Sequence, residues 1–223
     1  MPADPAPAIF TDVADIIAVA MLVIEFGMLR QALLRDQVRL YAVQSLLVSV
    51  LAVVVAATHG LSELYALAGL SFVLKVLIVP WLITRLMRDA SEEIAGSAAI
   101  AVATAVLVSI AVAAFGFFAV SHLRLRSSVL PSTALAIAVG VVLVSFVLMT
   151  IRRDVVSQAI GFFCLENGVS LASLVVAAGL PLILEVAFLF DLLVAVVVFG
   201  VLMRVHHNTS ESLSTAHLTR LRG

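Results

Sequence analysis

The sequence predicts an all-α membrane protein that crosses a bilayer about seven times. Hydrophobic residues make up 63% of its 223 residues and charged residues only 12%, with a mean hydropathy of +1.22. A typical soluble domain is about 45–50% apolar and about 25% charged. The apolar residues form runs of about 20, the length that a helix needs to cross the hydrocarbon core. Because lipid offers no hydrogen-bond partners, a spanning segment must satisfy its own backbone groups, and this favours helices.

Seven such runs follow one another, separated by charged or Pro/Ser-rich segments. The N-terminus carries Asp4, Asp12 and Asp15 as its first charges, whereas a signal peptide begins with a basic region, so we expect the first run to be a retained spanning helix. Short connections near 59–62 and 179–183 predict two tight antiparallel hairpins. The predicted spans are 10–29, 40–58, 61–87, 95–120, 131–150, 155–178 and 182–204.

Positive charge orients the predicted stack, because cytoplasmic loops carry an excess of arginine and lysine. With seven crossings, most arginines fall on one side, and Arg124 and Arg126 fall on the other. We therefore expect the N-terminus outside and the C-terminus in the cytoplasm. The longest outside connection, 121–128, divides a four-helix part (1–120) from a three-helix part with a short cytoplasmic tail (121–223). The predicted cytoplasmic arginines are Arg30, Arg35, Arg39, Arg85, Arg88, Arg152, Arg153, Arg204, Arg220 and Arg222.

Composition argues against several classes of function. A net charge of −1 gives no electrostatic reason to expect nucleic acid as a partner. The single cysteine, Cys164, excludes an intrachain disulfide and a self-contained iron–sulfur or Cys-rich zinc site. No nucleotide-binding loop, nucleophile–base arrangement or haem-attachment motif occurs, so we expect a chain that is not catalytic alone and holds no cofactor. A retinal protein would need its lysine in the last helix, whereas Lys75 lies in the third; a stand-alone transporter is a further alternative.

Three ionisable residues are predicted to lie near the bilayer midplane. Lys75, Glu166 and Asp191 lie about 14, 11 and 9 residues into the third, sixth and seventh predicted helices. A charged group at that depth costs roughly 2.5–3.5 kcal/mol on insertion scales, and such groups normally face a protein interior or a water-filled cavity. We expect Glu166 and Asp191 to approach each other and share a proton. The alternative is that each residue only provides a hydrogen bond between helices.

Other polar residues are candidates for a proton path or its support. Asn167 adjoins Glu166 and is expected to hydrogen-bond across helices, with Gly168 permitting close approach. Glu25 lies about five residues before Arg30 near the predicted cytoplasmic interface, which favours an interfacial charge partner. The remaining candidates are Gln44, shallow in the second predicted helix, and Glu63 and Glu185, at the outer ends of their helices where water can reach them.

The C-terminal part resembles the K subunit of complex I. The motifs that carry the resemblance are similar to that family's RRN-like loop, its IG step and its helix with a membrane-embedded glutamate. Glu166 lies about three residues further from the glycine than the family glutamate does, which is roughly one helical turn. Asp191 stands where the family has a second buried glutamate, followed by a basic end and a tail finishing in RG. The matching segments are Arg152-Arg153-Asp154, Ala159-Ile160-Gly161, Leu165-Glu166-Asn167-Gly168, Arg204 and Arg222-Gly223.

The longer stretch 39–223 resembles component E of hydrogenase-4, a seven-helix family of formate-hydrogenlyase-type membrane complexes. The motifs occur in the same order along the chain. They are Tyr41-Ala42-x-Gln44-Ser45-Leu46, Lys75-Val76-Leu77-x-Val79-Pro80, Leu165-Glu166-Asn167-Gly168 and Leu218-Thr219-x-Leu221-Arg222-Gly223.

This resemblance implies a multi-pass subunit of the bacterial inner membrane, in the membrane arm of a group 4 nickel–iron-hydrogenase-like or complex-I-like assembly. It implies antiporter-like and other membrane-arm neighbours, and cytoplasmic hydrogenase-like subunits that hold the nickel–iron and iron–sulfur centres. The leading hypothesis is a proton relay through Glu166 and Asp191, with Lys75 holding or modulating charge beside them. The alternative is a purely structural adaptor between neighbouring membrane subunits.

Overall fold

Helices form nearly all of the part of the chain that the structure describes. A computed structural model describes residues 8–60, 62–90, 100–121, 132–176 and Gly200. Five helical segments in these ranges are long and apolar enough to cross a membrane: Leu34–Thr58, Leu64–Arg85, Val102–Ser121, Thr133–Ile151 and Val155–Val176. The predicted all-α membrane architecture is confirmed to this extent. The helices are α1 (Ala8–Arg30), α2 (Leu34–His59), α3 (Ser62–Ser71), α4 (Val79–Ala90), α5 (Val102–Ser121), α6 (Ser132–Ile151) and α7 (Val155–Val176), with a π-helix (Phe72–Ile78) joining α3 to α4.

The described helices follow the predicted runs in order, with differences at their starts. α1 covers the first run but carries three carboxylates, at Asp12, Asp15 and Glu25, and it is not one of the five apolar segments. α2 begins at Leu34 rather than at 40, because a charged first turn continues the helix. α5 begins at Val102 rather than at 95. The seventh run, 182–204, lies outside the described residues, so the count of seven and the division at 120 stay predictions.

Two helical hairpins, α1–α2 and α6–α7, lie side by side and point in the same direction. Hydrogen bonds join α1 to α6 and α2 to α7 at a nearly constant separation in sequence, which requires each of these pairs to be parallel. The bonds run from Thr133 to Asp15, from Ser145 to Glu25, from Ser157 to Gln37 and from Asn167 to Gln44, with separations of 118, 120, 120 and 123 residues.

The turns of both hairpins meet at one end of the bundle. The buried Arg152 donates hydrogen bonds to the carbonyl oxygens of Leu29 and Gln31, both at 2.9 Å, and so satisfies acceptors that the end of α1 leaves without an intrahelical partner. Asp154 caps α7 by accepting a bond from the Ser157 N–H at 2.7 Å. Burial lowers the pKa of Arg152, and the neighbouring Asp154 carboxylate opposes that change. We call this end, with Arg30, Arg35, Arg39, Arg85, Arg152 and Arg153, the arginine end.

Replacing Arg152 by methionine is expected to lower the free energy of unfolding by about 1–3 kcal/mol, because buried carbonyl groups at the end of α1 lose their donors. Thermal unfolding of the purified protein in detergent measures the change. The matched control is Arg39→Met, since Arg39 is exposed and its ion pair with Asp36 contributes little. Equal losses in the two variants would show that Arg152 does not tie the hairpins together.

The outer surface of the bundle is apolar. On α5, the side chains of Leu107, Phe115 and Phe118 are each about two-thirds exposed, and on α1 Ile16 and Val23 are similarly exposed. Large contiguous apolar surface of this kind marks a site of contact with membrane or protein. Along α1 and α5 the bundle therefore offers hydrocarbon-like side chains to its surroundings.

Candidate functional site

An ion pair lies inside the bundle, between the π-helix and α7. The Lys75 Nζ atom is 2.7 Å from Glu166 Oε1, and the two side chains are only 2% and 12% exposed. Both residues lie within apolar segments that could cross a membrane. Opposite charges removed from water compensate each other, so the two residues are energetically coupled.

The π-helix sets the position of Lys75. Its backbone ends with the Val79 N–H bonding to the Leu74 carbonyl oxygen, a spacing of five residues instead of four. Lys75 is buried against α7, whereas Phe72, Val73 and Leu77 on the same segment are exposed. Departures from α-helical geometry of this kind are often found at functional sites. Nothing in the local sequence predicted this one.

A chain of hydrogen bonds extends from the ion pair toward α2. The Lys75 Nζ donates to Ser170 Oγ at 3.3 Å and to Asn167 Oδ1 at 3.5 Å. The Asn167 amide donates in turn to Ser45 Oγ at 2.9 Å and to Gln44 Oε1 at 3.3 Å. The Gln44 amide donates to a backbone carbonyl of α1. The ammonium group therefore has neutral acceptors besides the carboxylate, and the network links four helical segments.

The structure brings together four of the residues predicted from the sequence: Lys75, Glu166, Asn167 and Gln44. α2 begins at Leu34, so Gln44 lies about 15 Å along the helix, and its shallow position in the membrane stays a prediction. Sequence reasoning missed Ser45 and Ser170, although Ser170 follows Glu166 by four residues, a spacing that places both on one helix face. Asp191, Glu185 and the side chain of Glu63 lie outside the described residues, so the approach of Glu166 to Asp191 stays a prediction.

Glu25 is not an interfacial partner of Arg30, as its spacing had suggested. The Glu25 side chain is fully buried, and its Oε1 accepts a hydrogen bond from the hydroxyl group of Ser145 on α6, while Arg30 is exposed. The interpretation failed because α1 packs against α6, and that contact turns this face of α1 into the interior.

A cavity of about 80 Å³ adjoins the ion pair, between α2, α3 and α7. Such a volume holds a few water molecules, at roughly 30 Å³ each in liquid water. Its lining residues follow Gln44 along α2, precede Lys75 along α3 and follow Glu166 along α7. The cavity therefore lies on the side of the ion pair away from the arginine end. Its polar lining consists of Lys75, Glu166, Ser49, Ser71, Ser170 and Ser173.

Gly168 lets α6 and α7 approach closely beside the ion pair. A Cβ atom on Gly168 would lie 2.9 Å from Val142 Cγ2 and 3.0 Å from Val141 Cγ1, both closer than ordinary contacts. The glycine thus fixes the distance between α6 and the part of α7 that carries Glu166 and Asn167.

The variant Gly168→Ala is expected to lose about 1–3 kcal/mol of stability through overpacking between α6 and α7. Unfolding of the protein in detergent, followed by circular dichroism, measures the loss. Gly69→Ala is the matched control, because a Cβ at Gly69 meets nothing within 4 Å, and alanine favours a helix over glycine by about 1 kcal/mol. A Gly168→Ala variant as stable as the control would show that the contact between α6 and α7 accommodates a methyl group at this point.

Comparison with known proteins connects the chain to a hydrogenase component. It is 26% identical to hydrogenase-4 component E of Escherichia coli over 183 residues, which is 82% of this chain and 85% of that protein, and the component of the same name in Shigella flexneri gives the same values. An uncharacterized protein of Mycobacterium tuberculosis is 33% identical over 132 residues, and the match spans 59% of its length. No family model matches the chain. No solved structure matches it either.

The resemblance to hydrogenase-4 component E that the ordered motifs indicated is confirmed by this similarity. The matched length covers most of both chains, so it concerns the helical bundle as a whole. The resemblance of the C-terminal part to the K subunit of complex I stays a prediction.

Proposed function

We propose that this chain is a non-catalytic membrane subunit of a hydrogenase-like assembly and that the Lys75–Glu166 pair carries protons within it. The similarity to hydrogenase-4 component E supports membership in such an assembly. The single observation that carries the proton role is the buried ion pair at 2.7 Å inside an apolar bundle. Ionisable groups at this depth are costly and characteristically serve ion or proton paths.

The network around the pair supplies what proton transfer requires. Beside Lys75, Glu166 is held as a carboxylate, because the opposite charge favours the ionised form. A proton that arrives at Glu166 removes that attraction. The ammonium group then keeps Asn167 and Ser170 as hydrogen-bond acceptors, so Lys75 is not left without partners. Protonation of Glu166 thereby changes the pairing of Lys75 without breaking the fold.

The cavity beside the pair supports access from one side. It reaches Lys75 and Glu166, and three serine hydroxyl groups from α2 and α7 line it: Ser49, Ser170 and Ser173. Hydroxyl groups both donate and accept hydrogen bonds, so a few waters held among them would carry a proton between the cavity and Glu166.

The orientation of the chain is part of the proposal. Seven crossings with the N-terminus outside would put the arginine end in the cytoplasm and the cavity toward the outside of a bacterial inner membrane. Arg35, Arg39 and Arg85 line one surface recess, so arginines from two segments lie together on one side of the chain. This clustering supports the arrangement. Asp191 would extend the path along the seventh helix, and antiporter-like subunits would lie alongside. Nickel–iron and iron–sulfur chemistry would belong to cytoplasmic partner subunits.

Affinity purification of the tagged chain from its native membrane tests membership in the assembly. We expect a nickel–iron large subunit and antiporter-like membrane subunits to copurify in fixed proportion. A chain that is isolated alone, folded and active in transport would contradict membership and would instead favour a stand-alone transporter. A purely structural adaptor is distinguished by substitutions at Lys75 and Glu166, which would then impair assembly but leave proton translocation per assembled complex normal.

A further inference from the structure

A second buried carboxyl group, Glu25, lies in the same bundle in surroundings quite unlike those of Glu166. Its side chain has no exposed surface. One oxygen atom, Oε1, accepts a hydrogen bond from the hydroxyl group of Ser145, and the other, Oε2, is buried with no hydrogen-bond partner among the described residues. The proposed path through Lys75 and Glu166 makes no use of this residue.

The described elements packed against Glu25 place no cation beside it. α5 and α6 contain no charged residue. From α7 the buried thiol of Cys164 lies 3.5 Å from the sulfur of Met28, three residues after Glu25 on α1, and α2 contributes the buried phenol of Tyr41. An isolated buried carboxylate would be very costly, whereas a neutral carboxylic acid needs only the hydroxyl partner that is present. Glu25 is therefore a neutral acid while Glu166, beside Lys75, is ionised.

Glu25 lies nearer to the arginine end than the ion pair does. The end of α1 and the start of α7 meet at the arginine end. At 1.5 Å per residue, Glu25 is about 7.5 Å from the end of α1, whereas Glu166 is about 17 Å from the start of α7. Tyr41 and Cys164 lie at intermediate depths, about 10 Å along α2 and about 14 Å along α7 from the same end. Both side chains are buried.

A further hydroxyl group lies at the depth of Glu25. Ser109 on α5 is fully buried, and its Oγ has no hydrogen-bond partner among the described residues. The antiparallel contact of Gly116 with Leu143 and Val139 sets the register of α5 on α6. That register places Ser109 within about one turn of Ser145. Two unsatisfied polar atoms at one level, Glu25 Oε2 and Ser109 Oγ, mark a second polar site in the bundle.

We propose that Glu25 is a second proton-binding residue, which stores a proton as the neutral acid near the arginine end and delivers it toward Glu166. This inference rests on the proposed function of the ion pair. In the transfer, the proton that leaves the Glu25 carboxyl group ends on the Glu166 carboxylate, and no group is oxidised or reduced. Glu25 then regains a proton from the arginine end, because none of the described residues places a cation beside its carboxylate form.

Infrared spectroscopy and proton translocation by the assembled complex test this assignment together. In the resting complex, the carbonyl band of a protonated carboxyl group is expected to disappear in Glu25→Gln and to shift in Ser145→Ala. Glu25→Gln should keep its thermal stability, since a neutral amide replaces a neutral acid, and should lower proton translocation per turnover at least tenfold. Asp15→Asn, which changes another carboxylate of α1, is the matched control and should translocate normally.

Two results would overturn the assignment. One is a resting spectrum whose protonated carboxyl band is unchanged in Glu25→Gln or, where that variant fails to assemble, unchanged in Ser145→Ala. The other is normal translocation in assembled Glu25→Gln. Either result combined with impaired translocation in Glu166→Gln removes Glu25 alone from the path. Normal translocation in Glu166→Gln instead removes the proposed function itself.

Discussion

Replacement of Glu166 by glutamine is expected to lower proton translocation by the assembled complex about a hundredfold or more, the loss typical when a positioned proton-transfer group is removed. Glutamine keeps the shape of the side chain but binds no exchangeable proton at physiological pH. Some stability will be lost because Lys75 loses its counter-ion, but its hydrogen bonds to Asn167 and Ser170 remain, so the effect on transport is measured per assembled complex. Proton release or uptake by the complex in sealed vesicles, divided by turnover, gives the measurement.

The control for Glu166→Gln is Asp36→Asn. Asp36 is a carboxylate of α2 whose surface ion pair with Arg39 has a separation of 3.0 Å. The same change of charge at the surface should leave translocation at the wild-type value. Wild-type translocation in assembled Glu166→Gln as well would exclude Glu166 from the path and would favour the structural adaptor.

Replacement of Lys75 by methionine is expected to be the most destabilising single change in the site. Glu166 would remain buried without its cation, and loss of one partner of a buried pair costs about 3–5 kcal/mol. The defect should be smaller at acid pH, because Glu166 escapes the penalty by binding a proton. The yield of assembled complex and the unfolding temperature of the isolated chain, each measured across a pH series, report the effect.

The double variant Lys75→Met/Glu166→Gln separates stability from transport. Removing both charges relieves the burial penalty, so assembly and unfolding temperature should return close to the wild-type values. Proton translocation should stay lost, because no proton-binding group remains in the pair. A double variant that is as unstable as Lys75→Met alone would mean that the two residues are not energetically coupled.

The local part of this site was predictable, because a charged residue in a long apolar run is conspicuous in any sequence. Lys75, Glu166 and Asn167 were identified on that ground. The hydrogen bond between Lys75 and Asn167 was not predictable, because the two residues are 92 positions apart in the sequence. They come into contact only when the π-helix packs on α7. The sequence suggested Lys75 as a charge beside Glu166, and the structure places the two side chains 2.7 Å apart. The suggested approach of Asp191 stays a prediction.

Other features depended on helix starts and packing that local sequence does not determine. α2 begins at Leu34 rather than at 40, because charged residues continue the helix beyond the apolar run. Glu25 was misplaced because its burial depends on α6, whose residues are distant in sequence. Arg152 was correctly read as part of a basic loop. Its bonds to the end of α1 depend on the side-by-side arrangement of two hairpins, and no local pattern indicates that arrangement.

Redox-triggered infrared difference spectroscopy on the assembled complex tests most directly whether Glu166 exchanges protons during turnover. If it does, turnover will produce a carboxylate band that falls as a carboxylic acid band rises, and both signals will vanish in Glu166→Gln. If the same bands persist unchanged in that variant, or if the wild-type complex translocates protons with no carboxyl signal at all, the Lys75–Glu166 pair is not the proton-carrying site.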